Sequence, residues 1–305
     1  MNVLEYAAVF QSELDKAAVQ SATSGWMELN SGLVKYEGGR EVKIPMMSMD
    51  GLADYDRQAG FVDGSVNLSW QTMTMDMDRG RRFTFDEHEV SETNFILTAG
   101  TVMGEFQRTR VVPEIDAYRY SKLASIAKAD GKVVSGYTPA KASILEKLYL
   151  DIATVQDKVG SDIPLVITMS TRVAALFSLS TELQRHIDVT DFTKGDVTIK
   201  TKSLDGVHPI IPVSAERLKT EYVFLDGKST SQEPGGFKAG ASAKSINWLI
   251  SPRNAPIAVS RTDNVRIFTP ETYQPARAWA TDYRKYHDLW VPKNRAAGIL
   301  ANLAP

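Results

Sequence analysis

The sequence contains no cysteine among its 305 residues. Disulfides, thiolate nucleophiles and thiolate metal sites are therefore excluded together, and the composition fits synthesis in a reducing cytoplasm. No uninterrupted apolar run approaches the ~18 residues of a membrane-spanning helix, so we expect no membrane association. The first 20 residues carry acidic and amide side chains within their apolar stretch, which is unlike a secretory signal. They form the pattern of a short amphipathic helix that needs a surface to pack on.

An excess of charge of either sign is also missing. The chain has 35 basic and 37 acidic side chains, giving a formal net charge of -2. A protein whose main task is to grip nucleic acid normally carries a basic excess, so that class is disfavoured. The apolar fraction of 43% and the charged fraction of 24% are typical of a globular chain. The length favours one large domain or two closely built ones.

Signatures of catalysis are absent as well. The sequence has no GxSxG elbow, no GxxxxGK[ST] phosphate loop and no GxGxxG turn, and no two of its four histidines are three or four residues apart. His208 and His287 are therefore expected to be structural or surface residues. We expect no catalytic residue, no cofactor and no metal site in this chain.

One carboxylate pair leaves an enzymatic alternative open. Asp76 and Asp78 are two residues apart on a predicted strand, so their side chains face the same way. Paired carboxylates can trade a proton or bind a metal, as in a carboxylate-dependent hydrolase. The arginines that follow immediately favour a charge-paired surface instead.

Two strand patterns around a long irregular segment predict a protruding arm. Val42, Ile44 and Met46 alternate with polar residues or proline, and a longer strand pattern runs from residue 66 to 85. The apolar positions of this second pattern change phase between Trp70 and Met73. Such a change indicates a bulge or a strand that is covered differently along its length. The intervening segment of about 18 residues is acidic and long enough to be functional, so we predict a hairpin with a large acidic tip.

The composition of this arm predicts contacts between copies of the chain. Six of the ten methionines lie between residues 46 and 77, and methionine packs adaptably against imperfectly repeated surfaces. A two-stranded hairpin has no core of its own to absorb them. The candidate interface residues are Met46, Met47, Met49, Asp54, Asp56, Arg57, Phe61, Trp70, Met73, Met75, Met77, Arg79, Arg81 and Arg82.

The charges of the arm suggest how such copies would meet. The tip is acidic, whereas the base carries Arg79, Arg81 and Arg82. The two ends of one rigid arm cannot meet within a chain, but they can meet head to tail between neighbours, as in the interfaces that build rings and shells. Solvated charge at both ends is the alternative.

The remainder predicts a long helix with a break or kink, followed by an α+β lobe. A helical stripe over 95–106 is interrupted at Pro113, and a second one continues to Gly131. Thr138 and Pro139 predict the start of another helix that Gly160 ends. A buried strand at 164–169, a helix through 173–183, several strands and a mobile-looking loop at 227–244 follow. The last fifty residues return to strands, which we expect to pack on the long helix.

In this order, five segments resemble the major capsid proteins of tailed double-stranded DNA bacteriophages, which share the fold named after phage Hong Kong 97. The segments are DYDRQAGFVDGSVNLSWQTMTMDMDRGRRFTFDEHEVSET, VVPEIDAYRYSKLA, GVHPIIPV, LDGKSTSQEPGGFKAGASAKSINWLI and YHDLWVPKNRAAGIL. The resemblance implies an α+β Hong Kong 97-type capsid fold. Residues 1–32 would be an N-terminal arm, 33–88 the extended β-hairpin loop (E-loop), 89–137 with 255–305 the peripheral (P) domain with its long spine helix, and 138–254 the axial (A) domain.

The resemblance also implies partners. The chain would assemble as pentamers and hexamers into an icosahedral shell around double-stranded DNA bound without sequence specificity, in a virion assembled in the bacterial host cytoplasm. A portal protein, a separately encoded scaffolding protein and a decoration or cement protein would accompany it. The tip at 47–65 lacks lysine, so we expect no covalent crosslink there. Shell expansion would hinge near Gly39 and Gly80, and an encapsulin-like compartment shell with the same fold is the alternative.

Overall fold

A computed structural model describes residues 22–36, 41–55, 57–58, 60–86, 102–180, 187–194, 197–269, 271–273, 275 and 278–305. The predicted N-terminal helix, Gly39, Asp56 and the helical stripe before residue 102 lie outside these residues. So does the end of the helix predicted through 173–183.

Strands dominate the described part of the chain. The helices are a 3-10 helix (Gly25–Leu33), α1 (Val112–Ala129), α2 (Ile144–Val159), α3 (Thr171–Ser178) and α4 (Lys293–Ala296). The strands are β1 (Lys35–Tyr36), β2 (Glu41–Met49), β3 (Val66–Thr74), β4 (Met77–Asp86), β5 (Val133–Val134), β6 (Leu165–Ser170), β7 (Ile187–Lys194), β8 (Val197–Leu204), β9 (His208–Val213), β10 (Tyr222–Phe224), β11 (Phe237–Ala239), β12 (Ile246–Pro252), β13 (Ile257–Phe268), β14 (Ala278–Trp290) and β15 (Leu300–Leu303).

A seven-stranded sheet of order β5-β15-β12-β6-β9-β8-β7 forms the centre of the molecule. Every residue of β6 is buried, as its mostly apolar sequence predicts for a strand covered on both faces. Helices α2 and α3 cover one face, and α1 with the 3-10 helix covers the other. Neighbouring residues of β12 point to opposite faces of the sheet: Trp248 packs with α2 and α3, and Leu249 packs with α1. The predicted mixture of helix and sheet is thus confirmed.

The chain from 255 to 305 does not stay in one part of the fold. Strand β15 lies between β12 and β5, and its side chains alternate between the two hydrophobic clusters of the central sheet. The strand β15 thus joins the central sheet, whereas β13 and β14 form a separate sheet with β4. A four-residue strand carries too little pattern to reveal which sheet it joins. Strand β14, by contrast, does pack on α1, because Tyr118 donates a hydrogen bond to Asp288.

Of the break or kink predicted at Pro113, the break does not occur. Residues 102–106 are helical, Gln107–Val111 forms a π-helical segment, and α1 continues from Val112 with Pro113 in its first turn. A proline lacks an N–H and crowds the carbonyl four residues earlier, so the wider π turn accommodates it without ending the helix.

Helix α2 begins later than predicted, at Ile144 instead of near Thr138. The preceding residues are held against β12, because Asn247 Nδ2 donates to the Tyr137 carbonyl at 2.8 Å. The Tyr137 ring also meets the Trp248 ring edge-on, with centroids 5.5 Å apart. Gly160 ends the helix as predicted, with a φ of 97° that favours glycine.

The predicted hairpin is present, but the long second strand is two strands in different sheets. Strand β3 pairs antiparallel with β2, from Glu41 opposite Thr74 to Met49 opposite Val66. After a two-residue junction, β4 pairs with β14 in a three-stranded sheet of order β13-β14-β4. Of the two predictions, a bulge or a strand covered differently along its length, the pairing therefore supports the second.

The strand pairing describes the 227–244 segment and the surroundings of Gly80. The segment at 227–244 contains β11, and β11 pairs antiparallel with β10 to form a hairpin. Gly80 lies within the β4–β14 ladder opposite Arg284, where an added Cβ would approach the Tyr283 carbonyl oxygen to 2.7 Å. Close packing thus accounts for this glycine, and the strand changes sheets at residues 75–76 instead.

A buried carboxylate fastens α2 to the central sheet. Asp151 Oδ2 accepts hydrogen bonds from Trp248 Nε1 at 3.0 Å and from Asn302 Nδ2 at 2.9 Å. Its other oxygen lies 3.0 Å from Lys147 Nζ. One side chain therefore satisfies buried donors on both β12 and β15.

We predict that Asp151→Ala lowers the free energy of unfolding by about 2–4 kcal/mol, because two buried donors lose their acceptor. Urea denaturation followed by tryptophan fluorescence measures the change. Asp157→Ala, on the exposed side of the same helix, is the matched control and should change stability by less than about 0.5 kcal/mol. Equal effects of the two substitutions would contradict the role of Asp151.

Candidate assembly interface

The inner half of the β2–β3 hairpin is part of the chain's own core. Val42 and Ile44 point to the same face of β2, and they pack with Met75 against Ile257 and Trp290. Val42, Ile44 and Met75 are at most 2% exposed. This face anchors the hairpin on the strand β13 and on the end of β14.

The outer half presents its opposite face to solvent. Antiparallel register places directly opposed residues on the same face of a hairpin, and three successive pairs on this face are entirely apolar. We call them the apolar stripe: Pro45 with Trp70, Met47 with Leu68, and Met49 with Val66. Met47 is 57% exposed, Leu68 56% and Trp70 49%.

The apolar positions therefore exchange faces halfway along the hairpin. Near the base they face the chain's own core, whereas beyond Ile44 they face away from it. The outer half of the other face carries polar partners such as Ser48 and Asn67, which oppose each other. Monomeric proteins rarely expose contiguous apolar patches of this kind, and such patches mark interaction sites. The arrangement can bind a second apolar surface laid along the stripe.

The tip extends the exposed apolar surface. Asp50 closes it, because its Oδ2 accepts hydrogen bonds from the backbone N–H and the hydroxyl of Ser65, each at 2.8 Å. These bonds, the backbone one foremost, lower the pKa of Asp50. The rings of Tyr55 and Phe61 lie 4.8 Å apart between centroids. Other exposed side chains of the tip are Leu52, Asp54, Arg57 and Val62.

The structure separates the six methionines of the arm. Met47 and Met49 lie on the apolar stripe and are exposed, whereas Met46 is half-buried on the opposite face. Met73 is half-buried against the core cluster that contains Met75. Met77 is half-buried at the start of β4. Met75, by contrast, is buried within the chain, because the hairpin shares a hydrophobic cluster with β13 and β14.

The arginines at the base are likewise unequal. Arg82 forms a bidentate ion pair with Asp282, with N–O distances of 2.5 and 2.6 Å. Arg81 is exposed, and its guanidinium reaches only the Glu233 carbonyl, at 3.4 Å. Within the described ranges, no carboxylate pairs with Arg81. Of these two, only Arg81 therefore keeps its charge available to a neighbour.

Arg79 is half-buried, and its guanidinium contacts both α1 and the 222–239 hairpin. Its Nε lies 2.6 Å from Glu114 Oε1 on α1. Nη1 donates to the Leu225 carbonyl at 2.8 Å, and Nη2 donates to the Gly236 carbonyl at 3.1 Å. Arg79 therefore has partners within the chain, because the 222–239 hairpin folds over this strand.

The alternative carboxylate pair does not form a joint site. Asp78 is bound bidentately by Arg284, at 2.9 and 2.8 Å. Asp76 contributes its backbone N–H to the Asp288 carboxylate at 3.0 Å, and its own side chain is exposed. A charge-paired surface is therefore what surrounds Asp78. In the part of the chain that the structure describes, no three His, Asp or Glu side chains are grouped to hold a metal ion.

The two described histidines are buried. His208 accepts a hydrogen bond at Nδ1 from the Leu165 N–H, at 3.2 Å. Burial, followed by nearby cations, lowers the pKa of His287 well below its ordinary value.

Among the helices within the described ranges, none is long and apolar enough to cross a membrane.

No protein-family model matches the chain, and no curated protein matches it in sequence. Solved structures do match. The capsid of cyanophage P-SCSP1u shares 11% identity at a TM-score of 0.57, covering 89% of this chain and 85% of that one. The mature capsid of bacteriophage PhiM1 shares 13% identity at a TM-score of 0.55, over 88% and 83%. The virus-like particle from Pyrococcus furiosus shares 10% identity at a TM-score of 0.52, over 99% of both chains.

These likenesses extend over most of the chain and most of each neighbour. At such low identity they establish the fold, and the fold is that of phage capsid proteins and of a virus-like particle. The mixed helix and sheet architecture expected from the sequence is therefore confirmed at this level.

The two faces of the hairpin predict opposite responses to substitution. We expect the double variant Met47→Ser with Leu68→Ser to keep the free energy of unfolding of the isolated chain within about 1 kcal/mol, because both side chains are exposed. Ile44→Ala, on the other face, should lower it by about 2–4 kcal/mol. Urea denaturation of both variants tests this, and a large loss with the stripe variant would show that the stripe is covered within the chain.

Proposed function

We propose that this chain is the major capsid protein of a tailed double-stranded DNA bacteriophage. It would assemble as pentamers and hexamers into an icosahedral shell that encloses the genome. The proposal is supported by the fold, which is shared over about 90% of the chain with phage capsid structures. The observation that carries it within this chain is the apolar stripe, whose exposure in the single chain is explained by burial in an assembly.

The elements of the fold take the roles that the capsid family gives to them. The β2–β3 hairpin with its tip is the extended loop, within 33–88, and the helix containing α1 is the spine of the peripheral domain, within 89–137. The segment 138–254 supplies most of the axial domain. The peripheral domain is completed by β13 and β14, and residues 1–32 form the N-terminal arm.

The hairpin provides the binding energy in this proposal. Each half-covered side chain of the stripe contributes on the order of 1 kcal/mol when a neighbouring copy buries it. A modest contact of this size is sufficient in a closed shell, because every copy makes it and symmetry repeats it. The exposed tip residues Phe61 and Arg57 would extend the same contact.

The partners and location follow from the same role. We propose that a separately encoded scaffolding protein, a portal protein and a decoration or cement protein act with this chain. Packaged DNA would be bound without sequence readout, and assembly would take place in the bacterial host cytoplasm before the chain becomes part of the virion. The role is structural and requires no catalytic residue.

An encapsulin-like compartment shell is the second candidate. The observation that favours it is the likeness to the Pyrococcus furiosus particle, which covers 99% of both chains and so indicates a similar overall size. The two candidates share the shell and differ in contents. Copurified cargo protein would indicate a compartment, whereas a terminase and a portal encoded beside the chain would indicate a phage.

We predict that the purified chain, expressed with and without its neighbouring genes, forms closed shells or rings of five and six subunits in negative-stain electron microscopy. The stripe variant Met47→Ser with Leu68→Ser should remain folded and lose these assemblies. Thr72→Ser, on the same strand and outside the stripe, is the matched control and should assemble normally. A folded wild-type chain that stays monomeric at high concentration in both conditions would overturn the proposed function.

A charge test addresses how neighbours are aligned. We predict that Arg81→Glu prevents assembly and that adding Asp54→Arg and Asp56→Arg restores it partly, because a tip made basic then meets a base made acidic and the two charges are again opposite. Arg81→Lys, which keeps the charge, should assemble normally. Light scattering at low salt follows the reaction, and a triple variant no better than Arg81→Glu alone would rule out the pairing of tip and base.

A further inference from the structure

The junction between β3 and β4 is held by one face of α1. Glu114, Tyr118 and Lys122 are spaced four residues apart, so they form a single row on the helix. Glu114 binds Arg79 on β4. Tyr118 donates to Asp288 at 2.6 Å, and Lys122 pairs with the same carboxylate. Asp288 in turn accepts the backbone N–H of Asp76, within the junction itself.

A second element shares these contacts. The hairpin of β10 and β11 lies over the row, where the Phe224 ring meets the Tyr118 ring edge-on with centroids 5.8 Å apart. The Arg79 guanidinium lies 6.0 Å from the Phe224 centroid. It also bridges the two ends of the loop, because it donates to the carbonyls of both Leu225 and Gly236. The Gly236 carbonyl also accepts the Leu225 N–H at 2.9 Å, so Arg79 binds where the loop closes.

The loop carries its own internal fastening. Asp226 accepts hydrogen bonds from the N–H groups of Lys228 and Ser229, each at 2.8 Å, and from the Ser229 hydroxyl at 2.5 Å. The Gln232 side chain accepts the Asp226 N–H at 3.1 Å. The hydroxyl bond foremost lowers the pKa of Asp226 to about 2. These bonds of the Asp226 carboxylate all lie within the loop, so the side chain can be altered without touching Arg79.

We propose that Arg79 is a positioning residue that couples the 225–236 loop to the direction in which the β2–β3 hairpin leaves the body. With the loop closed, Arg79 is held by Glu114 and by both loop ends, and the junction is fixed against α1. When the loop opens, Arg79 loses two of its acceptors, and the junction is held less firmly, by Glu114 and Asp288. A neighbouring copy that contacts the loop would thereby change the position of the arm. The inference rests on the proposed function for its purpose, but its physical content concerns the single chain.

Coupling between two sites is reciprocal, which makes it measurable without assembly. The test is backbone hydrogen exchange, followed by mass spectrometry on the unassembled chain. Arg79→Lys keeps the charge and loses the two-carbonyl bridge, so exchange should rise by about tenfold in both the 222–239 hairpin and residues 73–79. Arg82→Lys, on the same strand, is the matched control and should leave both segments unchanged.

The decisive variant is Asp226→Ala. It loosens the loop from within, and the coupling requires that exchange also rises at residues 73–79. Ser242→Ala, an exposed change that follows the same hairpin, should have no effect on either segment. A rise confined to the loop in Asp226→Ala would overturn the proposal. Because shells are not needed for this measurement, its failure would leave the proposed function intact, and failure to form shells would leave the coupling intact.

Discussion

The buried carboxylate of Asp288 is the contact on which the arrangement of the molecule depends. It is fully buried and joins α1, β14 and the β3–β4 junction, through Tyr118, Lys122 and the Asp76 N–H. An unpaired buried charge costs several kcal/mol, so these partners are required once the carboxylate is enclosed. The helix, the C-terminal sheet and the root of the hairpin are thereby held as one unit. The β2–β3 hairpin leaves the body from this unit.

The hairpin illustrates how one short sequence can serve two surfaces. Its inner half contributes Val42 and Ile44 to the core, and its outer half turns Met47 and Leu68 to the opposite side. Since strand side chains alternate with a period of two, moving the apolar positions by one residue transfers them to the other face. The chain thus needs no insertion or separate domain to present an apolar surface outward. A shell subunit can bury such a surface against a neighbouring copy, whereas in a monomeric protein it would lower solubility.

The charged residues of the arm show why composition alone overestimates the charge that a surface offers to a partner. Arg79, Arg81 and Arg82 are nearly adjacent in sequence, yet Arg79 is bonded to a helix and a loop and Arg82 to Asp282. Successive strand residues face opposite sides and meet different neighbours. Of the three, Arg81 keeps an exposed guanidinium without a carboxylate among the described residues. Electrostatic complementarity between copies would therefore depend on fewer residues than the sequence suggests.

The sequence by itself determined the local elements whose signals are local. The alternation in the hairpin, the mostly apolar run of β6 and the glycine that ends α2 each depend on neighbouring residues, and each is found where the pattern predicts it. Only the tertiary structure decided which face of the hairpin is covered, where β15 inserts, and that Met75 belongs to the core. These depend on residues such as Trp290 and Asn302, more than 200 positions away from the hairpin. Long-range pairing leaves no periodic trace in a sequence, because burial is a property of the partner as much as of the residue.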